Sequence, residues 1–217
     1  RPIIFITKNG LIKRSILKEF AVNRWSKPIN CMKLKENDKL IQVCLENYES
    51  IFVTTKCGFG LAFNTSDVPL AGVKAGGVKA ITLKNDEVVS MSNFSIDEDE
   101  YLTVITDKNT GKRIKLSEFE LSTRTRKGLL IIREVKTNPH SVLKAFVTKS
   151  SDYIGLKNSQ IIELKNTELP ISDRYSIGKE LTKHNVTDAF IITSLQKKEN
   201  KPDDEHKNEK NEEQNML

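Results

Sequence analysis

Ile3-Ile4-Phe5-Ile6-Thr7-Lys8-Asn9-Gly10 returns as Ile51-Phe52-Val53-Thr54-Thr55-Lys56-Cys57-Gly58, matched position for position through its Thr-Lys-x-Gly end. A β-branched and aromatic run that stops at turn residues reads as a strand entering a hairpin. Asn9-Gly10 is the strongest short hairpin signal, a pair whose two turn positions take φ > 0. Strands of the same kind end in threonine at 101–106, 145–148 and 189–193. With threonine as the anchor, the copies fall at 7, 55, 106, 148 and 193, spaced by 48, 51, 42 and 45 residues. That is the period of a propeller blade.

Other landmarks keep phase. A second strand follows each turn, as Leu11-Ile12, Leu61-Ala62-Phe63, Ile114-Lys115-Leu116 and Ile161-Ile162-Glu163-Leu164. The third copy has its glycine at Gly111, two residues late, and the fourth is looser around Gly155. A third strand follows a basic or glycine-rich loop: Gly77 and Gly128 lie 22 residues after Thr55 and Thr106, with Ile81 and Ile132 four further on. Met32-Lys33-Leu34-Lys35 falls at the same place in the first copy, and Leu40–Val43 and Glu87–Ser90 supply fourth strands. Helical patterning is confined to a turn or two at 15–20 and 177–183. Short strands at this spacing predict an all-β, propeller-like array of four-stranded blades, about four of them, in a domain spanning 1–196. The repeats divide at 1–49, 50–99, 100–144 and 145–196. Residues 197–217 are charged, Asn-rich and aperiodic, and are expected to be a disordered tail.

Charge is unevenly placed. Thirty-five Lys and Arg face 29 Asp and Glu, a net +6; the tail holds five Lys against seven acids, leaving +8 on residues 1–196. A basic body points to a polyanionic partner, whereas a merely lysine-rich domain would carry the same charge without using it. The cations recur in corresponding parts of successive blades: Lys8, Lys13, Arg14, Arg24 and Lys27 in the first; Lys56, Lys74 and Lys79 in the second; Lys112, Arg113, Arg124, Arg126 and Lys127 in the third; Arg174 and Lys179 in the fourth. Equivalent loops share a rim, so these fifteen are expected to form a basic stripe that grips the phosphates of duplex DNA and bends it, without a base code.

Catalytic constellations are missing. His140, His184 and His206 lie far apart, and neither HExxH nor a CxxC pair occurs, so a metal site has no support. Gly72-Val73-Lys74-Ala75-Gly76-Gly77-Val78-Lys79 lacks the GK[ST] end of a phosphate loop and reads as the entry to a blade strand. Cys31, Cys44 and Cys57 read as small buried hydrophobes of a reducing compartment. Tyr48, Tyr101, Tyr153 and Tyr175 read as packing residues. No apolar run could span a bilayer and no signal segment opens the chain, so no membrane partner is expected. The start at Arg1, on an apolar strand, leads to the expectation of a fragment of a longer polypeptide.

The Thr-Lys-x-Gly hairpins, the glycine-led strands at Gly77 and Gly128 and the Lys84–Val89 turn resemble the carboxy-terminal domain of the A subunit of bacterial type IIA topoisomerases. The resemblance covers residues 1 to about 195 and implies a β-pinwheel, a propeller-like disc whose blades exchange strands and whose basic rim wraps DNA. It further implies a non-catalytic DNA-binding domain without a cofactor of its own, in a parent enzyme that uses ATP and Mg2+. That parent would be cytoplasmic and nucleoid-associated in a bacterium. It would pair with an ATPase B subunit, beside a second A subunit, to decatenate and relax DNA. The Gln-Arg-Arg-Gly-Gly-Lys-Gly box of gyrase is absent; Lys74-Ala75-Gly76-Gly77-Val78-Lys79 comes nearest. The chain is therefore more similar to the topoisomerase IV branch than to the gyrase branch, which stands as the alternative beside a propeller scaffold for protein partners.

Overall fold

The structure, a computed structural model, describes residues 1–22 and 26–192. The expectation for 197–217 lies outside the described residues, as does Arg24. The first repeat forms β1 (Pro2–Thr7), β2 (Leu11–Ile16) and β3 (Leu40–Leu45). The second forms β4 (Ser50–Thr55), β5 (Phe59–Asn64), β6 (Val78–Lys79) and β7 (Val88–Phe94), and the third β8 (Tyr101–Thr106), β9 (Thr110–Lys115), β10 (Leu129–Leu130) and β11 (Val142–Thr148). The fourth forms β12 (Tyr153–Lys157), β13 (Ile161–Lys165), β14 (Lys179–Glu180) and β15 (Asp188–Ile192). Among the described residues helix is limited to 3-10 turns, one after the second strand of each hairpin.

Sheet order shows the exchange of strands. The four sheets run β3-β1-β2-β6, β10-β5-β4-β7, β11-β8-β9-β14 and β13-β12-β15. The two-residue strand of each of the second, third and fourth repeats therefore completes the sheet of the repeat before it. Residues 32–35 form no such strand in the first repeat. The third strands are thus much shorter than the apolar runs around Ile81 and Ile132 suggested, because those isoleucines leave the ladder and bury between blades.

Strand alternation explains the stacking. Ile51 and Val53 of β4 pack with Ile4, Ile6 and Ile12 of the first blade, while Phe52 packs with Leu102, Val104 and Phe119 of the third. Successive side chains point to opposite faces, so a strand between two blades must be apolar on both. Phe52 and Phe119 meet edge to face with centroids 4.9 Å apart. Blades touch one another through β3, β7, β11 and β15, leaving β6, β10 and β14 on the outer edge.

The recurring threonine has a physical reason. The Thr7 hydroxyl accepts from the Leu11 N–H at 3.1 Å, and Thr55 accepts from Phe59 at 3.1 Å. The turn itself differs from the expected two-residue type. Gly10 alone takes positive φ, at 79°, and its N–H donates to the Thr7 carbonyl. This is a three-residue loop closed by a left-handed residue. In the third repeat Asn109, at φ 61°, holds that place and its N–H donates to Thr106. Gly111 is therefore not a displaced turn glycine; it lies within β9.

The fourth anchor is also corrected. Thr148 ends β11, the last strand of the third blade, and β12 opens the fourth blade at Tyr153. A division at 145 cuts β11 in two, and Gly155 lies inside β12 rather than in a turn. The run before Thr193 is likewise a last strand, β15, so the first and final strands play different parts; Thr193 itself lies outside the described residues. Residues 177–183 hold β14, not a helical turn. Cys57 is exposed at a hairpin turn, because the Thr-Lys-x-Gly loop projects past the sheet; Tyr175 and Tyr48 are exposed as well.

Candidate nucleic-acid interface

Three loops lead into the exchanged strands, at residues 72–77, 123–128 and 173–178. Each ends on a glycine in the left-handed region: Gly77 at 82°, Gly128 at 85° and Gly178 at 82°. The residues that follow Met32, Ile81 and Ile132 tie these loops together. Lys33 donates its N–H to the Ala75 carbonyl, Thr82 to Arg126 and Arg133 to Ser176, at 3.2, 3.0 and 3.4 Å. The loops thus form one chain along the outer edge, each laid against a segment of the preceding repeat.

The fifteen sequence candidates separate by environment. Lys27, Lys74, Lys79, Arg126, Lys127 and Lys179 are exposed and form no ion pair among the described residues. All except Lys27 lie in or beside the three loops; Lys127 also stands 4.3 Å over the Phe59 ring. Lys8 and Lys56 lie instead on the hairpin turns, where both reach Glu87, at 2.8 and 3.4 Å. The hydrogen bond from Lys8 holds the Glu87 carboxyl below its ordinary pKa, with Lys56 adding to the effect. Those two cations are already matched by an anion.

Six candidates are engaged by the protein itself: Lys13, Lys112 and Arg113 are buried rather than on the rim, and Arg14, Arg124 and Arg174 are half-buried. Lys13 and Lys112 are each 1 % exposed and Arg113 is 6 % exposed. Lys13 gives its ammonium to the carbonyls of Gly72, Val73 and Ala75, and Lys112 to those of Asp173, Arg174 and Ser176. Arg113 donates to Leu169 and Thr167 and stacks on Tyr101. Arg14 makes a two-pronged pair with Glu46, at 2.6 and 2.7 Å, and donates to Val68. Arg124 donates to the Asp67 and Lys79 carbonyls, and Arg174 to Leu130, the position equivalent to Lys79. A charge on β2 or β9 lies inside its blade, beside the exchanged strand, so carbonyls of the next repeat claim Lys13, Lys112 and Arg113 before solvent can. Arg124 and Arg174 lie in the loops and reach back to the preceding repeat. A buried cation keeps its place only when such partners offset its desolvation.

Sequence reasoning missed Lys33 and Arg133. Both are exposed and lie against the next loop through their own N–H groups. Positions 33, 82 and 133 keep the blade spacing, which was the available signal. Among the described residues no three His, Cys, Asp or Glu side chains cluster as a metal site, and no helix is long and apolar enough to cross a membrane.

Comparison with known proteins places this arrangement. The family profile of the DNA gyrase C-terminal domain, a beta-propeller, matches residues 1–43, 49–95 and 100–149. The A subunit of DNA topoisomerase 4 from Bacillus subtilis (strain 168) is 36 % identical over 179 residues, which is 81 % of this chain and 22 % of that protein. Its counterpart from Staphylococcus aureus is 36 % identical over 145 residues, 66 % of this chain and 18 % of that protein. The chain thus spans about a fifth of these relatives' length. A crystal structure of the C-terminal domain of DNA topoisomerase IV superposes with a TM-score of 0.84 at 34 % identity, covering 88 % of this chain and 62 % of that one. The C-terminal domain of DNA gyrase A, at 21 % identity and a TM-score of 0.76 over 88 % of this chain and 65 % of that one, shares the fold.

Proposed function

The chain belongs to the DNA gyrase A C-terminal β-propeller family, and from that premise we propose that it is the duplex-binding domain of a topoisomerase IV A subunit. The observation that carries the reading is the row of uncompensated cations, Lys74, Lys79, Arg126, Lys127 and Lys179, on the outer edge where successive loops join. A cation row on a curved edge attracts a polyanion that follows the curve, and such contacts release counterions without reading bases. In this reading the domain performs no bond chemistry. It holds and bends a DNA segment for the rest of the parent enzyme, which supplies strand passage with its ATP and Mg2+ and its partner subunits.

Fluorescence anisotropy of a labelled duplex with this chain tests the reading. Affinity should fall steeply with salt, with a slope of about −0.9 per phosphate neutralised, and should be indifferent to sequence. Binding that ignores salt, or that selects one sequence, overturns it.

A further inference from the structure

The two buried lysines are the feature that the proposed function leaves unused. Lys13 lies in β2, three residues after Gly10, and Lys112 lies in β9, three residues after Asn109. Each sends its Nζ out of its own repeat onto the inner side of a loop some 60 positions later in the chain. Lys13 Nζ lies 3.0, 2.7 and 3.4 Å from the carbonyls of Gly72, Val73 and Ala75. Lys112 Nζ lies 2.9, 3.1 and 2.6 Å from those of Asp173, Arg174 and Ser176. The acceptors are equivalent, counted back from Gly77 and Gly178. Backbone N–H groups also reach three of these carbonyls, Ala75 donating to Gly72, Lys33 to Ala75 and Arg133 to Ser176. The ammonium joins them to Val73, Asp173 and Arg174 and gathers each loop on one donor. A half-open pocket of about 220 Å³ lies beside the end of the first loop, lined by Ile12, Lys13, Ala75 and Gly76, among others. In each loop a lysine spans the arch of carbonyls.

Residues 74 and 175 each lie between two of these acceptors and are exposed. Lys74 is exposed, and Tyr175 is 60 % exposed with the Arg174 guanidinium 5.1 Å from its ring. In the second repeat the equivalent position is Leu61, three residues after Gly58, and among the described residues no lysine ammonium donates into loop 123–128. Arg124 ties that loop from its own side.

We propose that Lys13 and Lys112 are positioning residues for the basic rim: each fixes the loop of a following repeat in the arch that presents its outward residues to a phosphate backbone. Rim geometry is then set across a blade boundary, and two of the three loops answer to a residue that never meets DNA. The proposal rests on the reading of the rim as a duplex-binding surface.

The test uses Lys13→Met and Lys112→Met in this chain, with two readouts. Hydrogen exchange without DNA should quicken tenfold or more at 72–77 for Lys13→Met and at 173–178 for Lys112→Met, with loop 123–128 unchanged in both. Duplex binding should then show a shallower salt slope, by about one to two units, because the phosphates held by one loop are released. A change that merely lowered the folded fraction would weaken binding and leave the slope as it was. Unchanged exchange at the facing loop in either folded variant overturns the proposal. Quickened exchange with an unaltered slope overturns the link to DNA. If the unsubstituted chain bound DNA without salt dependence, the duplex reading would fail, while the exchange result would still decide whether the lysines hold the loops.

Discussion

Lys112 shows how one buried charge can serve geometry while costing stability. Burial pushes its pKa down to about 8, against raising influences from Asp173 and Glu118 and a further lowering one from Arg174. An exposed lysine titrates near about 10.4. Between these values the folded chain binds fewer protons at this site than the unfolded chain does, so this group's contribution rises with pH across that window. The desolvation penalty is present in full below about pH 8 and is relieved above it. Thermal midpoints measured from pH 7 to 9.5 on the unsubstituted chain and on Lys112→Met should therefore diverge, the unsubstituted chain gaining relative to the variant as pH rises. A constant difference, or a loss with rising pH, contradicts the burial. Lys74 shares the residue type but not the surroundings, being exposed on its loop. Side-chain type was visible in the sequence; the direction in which Lys13, Lys112 and Arg113 point was not, because carbonyls from a later repeat decide it.

At the level of elements, the exchanged strand depends on its leading glycine. Gly128 sits at φ 85°, and a Cβ there would run into the Gly60 carbonyl of β5, the strand that β10 joins. Gly128→Ala should cost at least about 1–3 kcal/mol from backbone conformation alone, read as a lower midpoint in denaturant. Gly72→Ala is the contrast: nothing lies within 4 Å of its added Cβ, and the change should be near neutral. The repeat was legible because Thr7, Thr55 and Thr106 perform one hydrogen-bonding task at one spacing. It failed at the fourth copy for a physical reason. Thr148 also closes a buried strand, accepting from Asn166 and sharing a hydrogen bond with Thr103, so a threonine at a strand end marks either end of a blade. From sequence the third turn is assigned to Gly111 rather than to Asn109, whose φ is 61°. Asparagine tolerates the left-handed region, and the nearby Gly111 offered a more familiar turn residue.

Across the whole molecule, the exchange of strands converts a repeated sequence into a continuous edge, and charge acquires meaning only on that edge. The fold class and blade count were legible because period and alternation are local. The site was legible only in outline, since composition cannot distinguish a cation facing solvent from one facing a carbonyl or an acid. Two sets of cations test this distinction. Lys8 and Lys56 sit on the hairpin turns and share Glu87, so a phosphate approaching them must compete with a fixed carboxylate. Lys74, Lys79, Arg126 and Lys127 have no acidic partner among the described residues. Glutamine at all four should flatten the salt slope of duplex binding by up to about 3.6 units, at about 0.9 for each phosphate no longer neutralised. Glutamine at Lys8 and Lys56 removes half as many charges, yet should change the slope by well under one unit. Both sets are surface changes, each substitution costing about 0.5 kcal/mol or less, and denaturant midpoints of both variants, measured alongside, keep binding apart from folding. Equal loss per charge from the two sets would mean that net charge alone draws the DNA, and the rim would have no special claim to it.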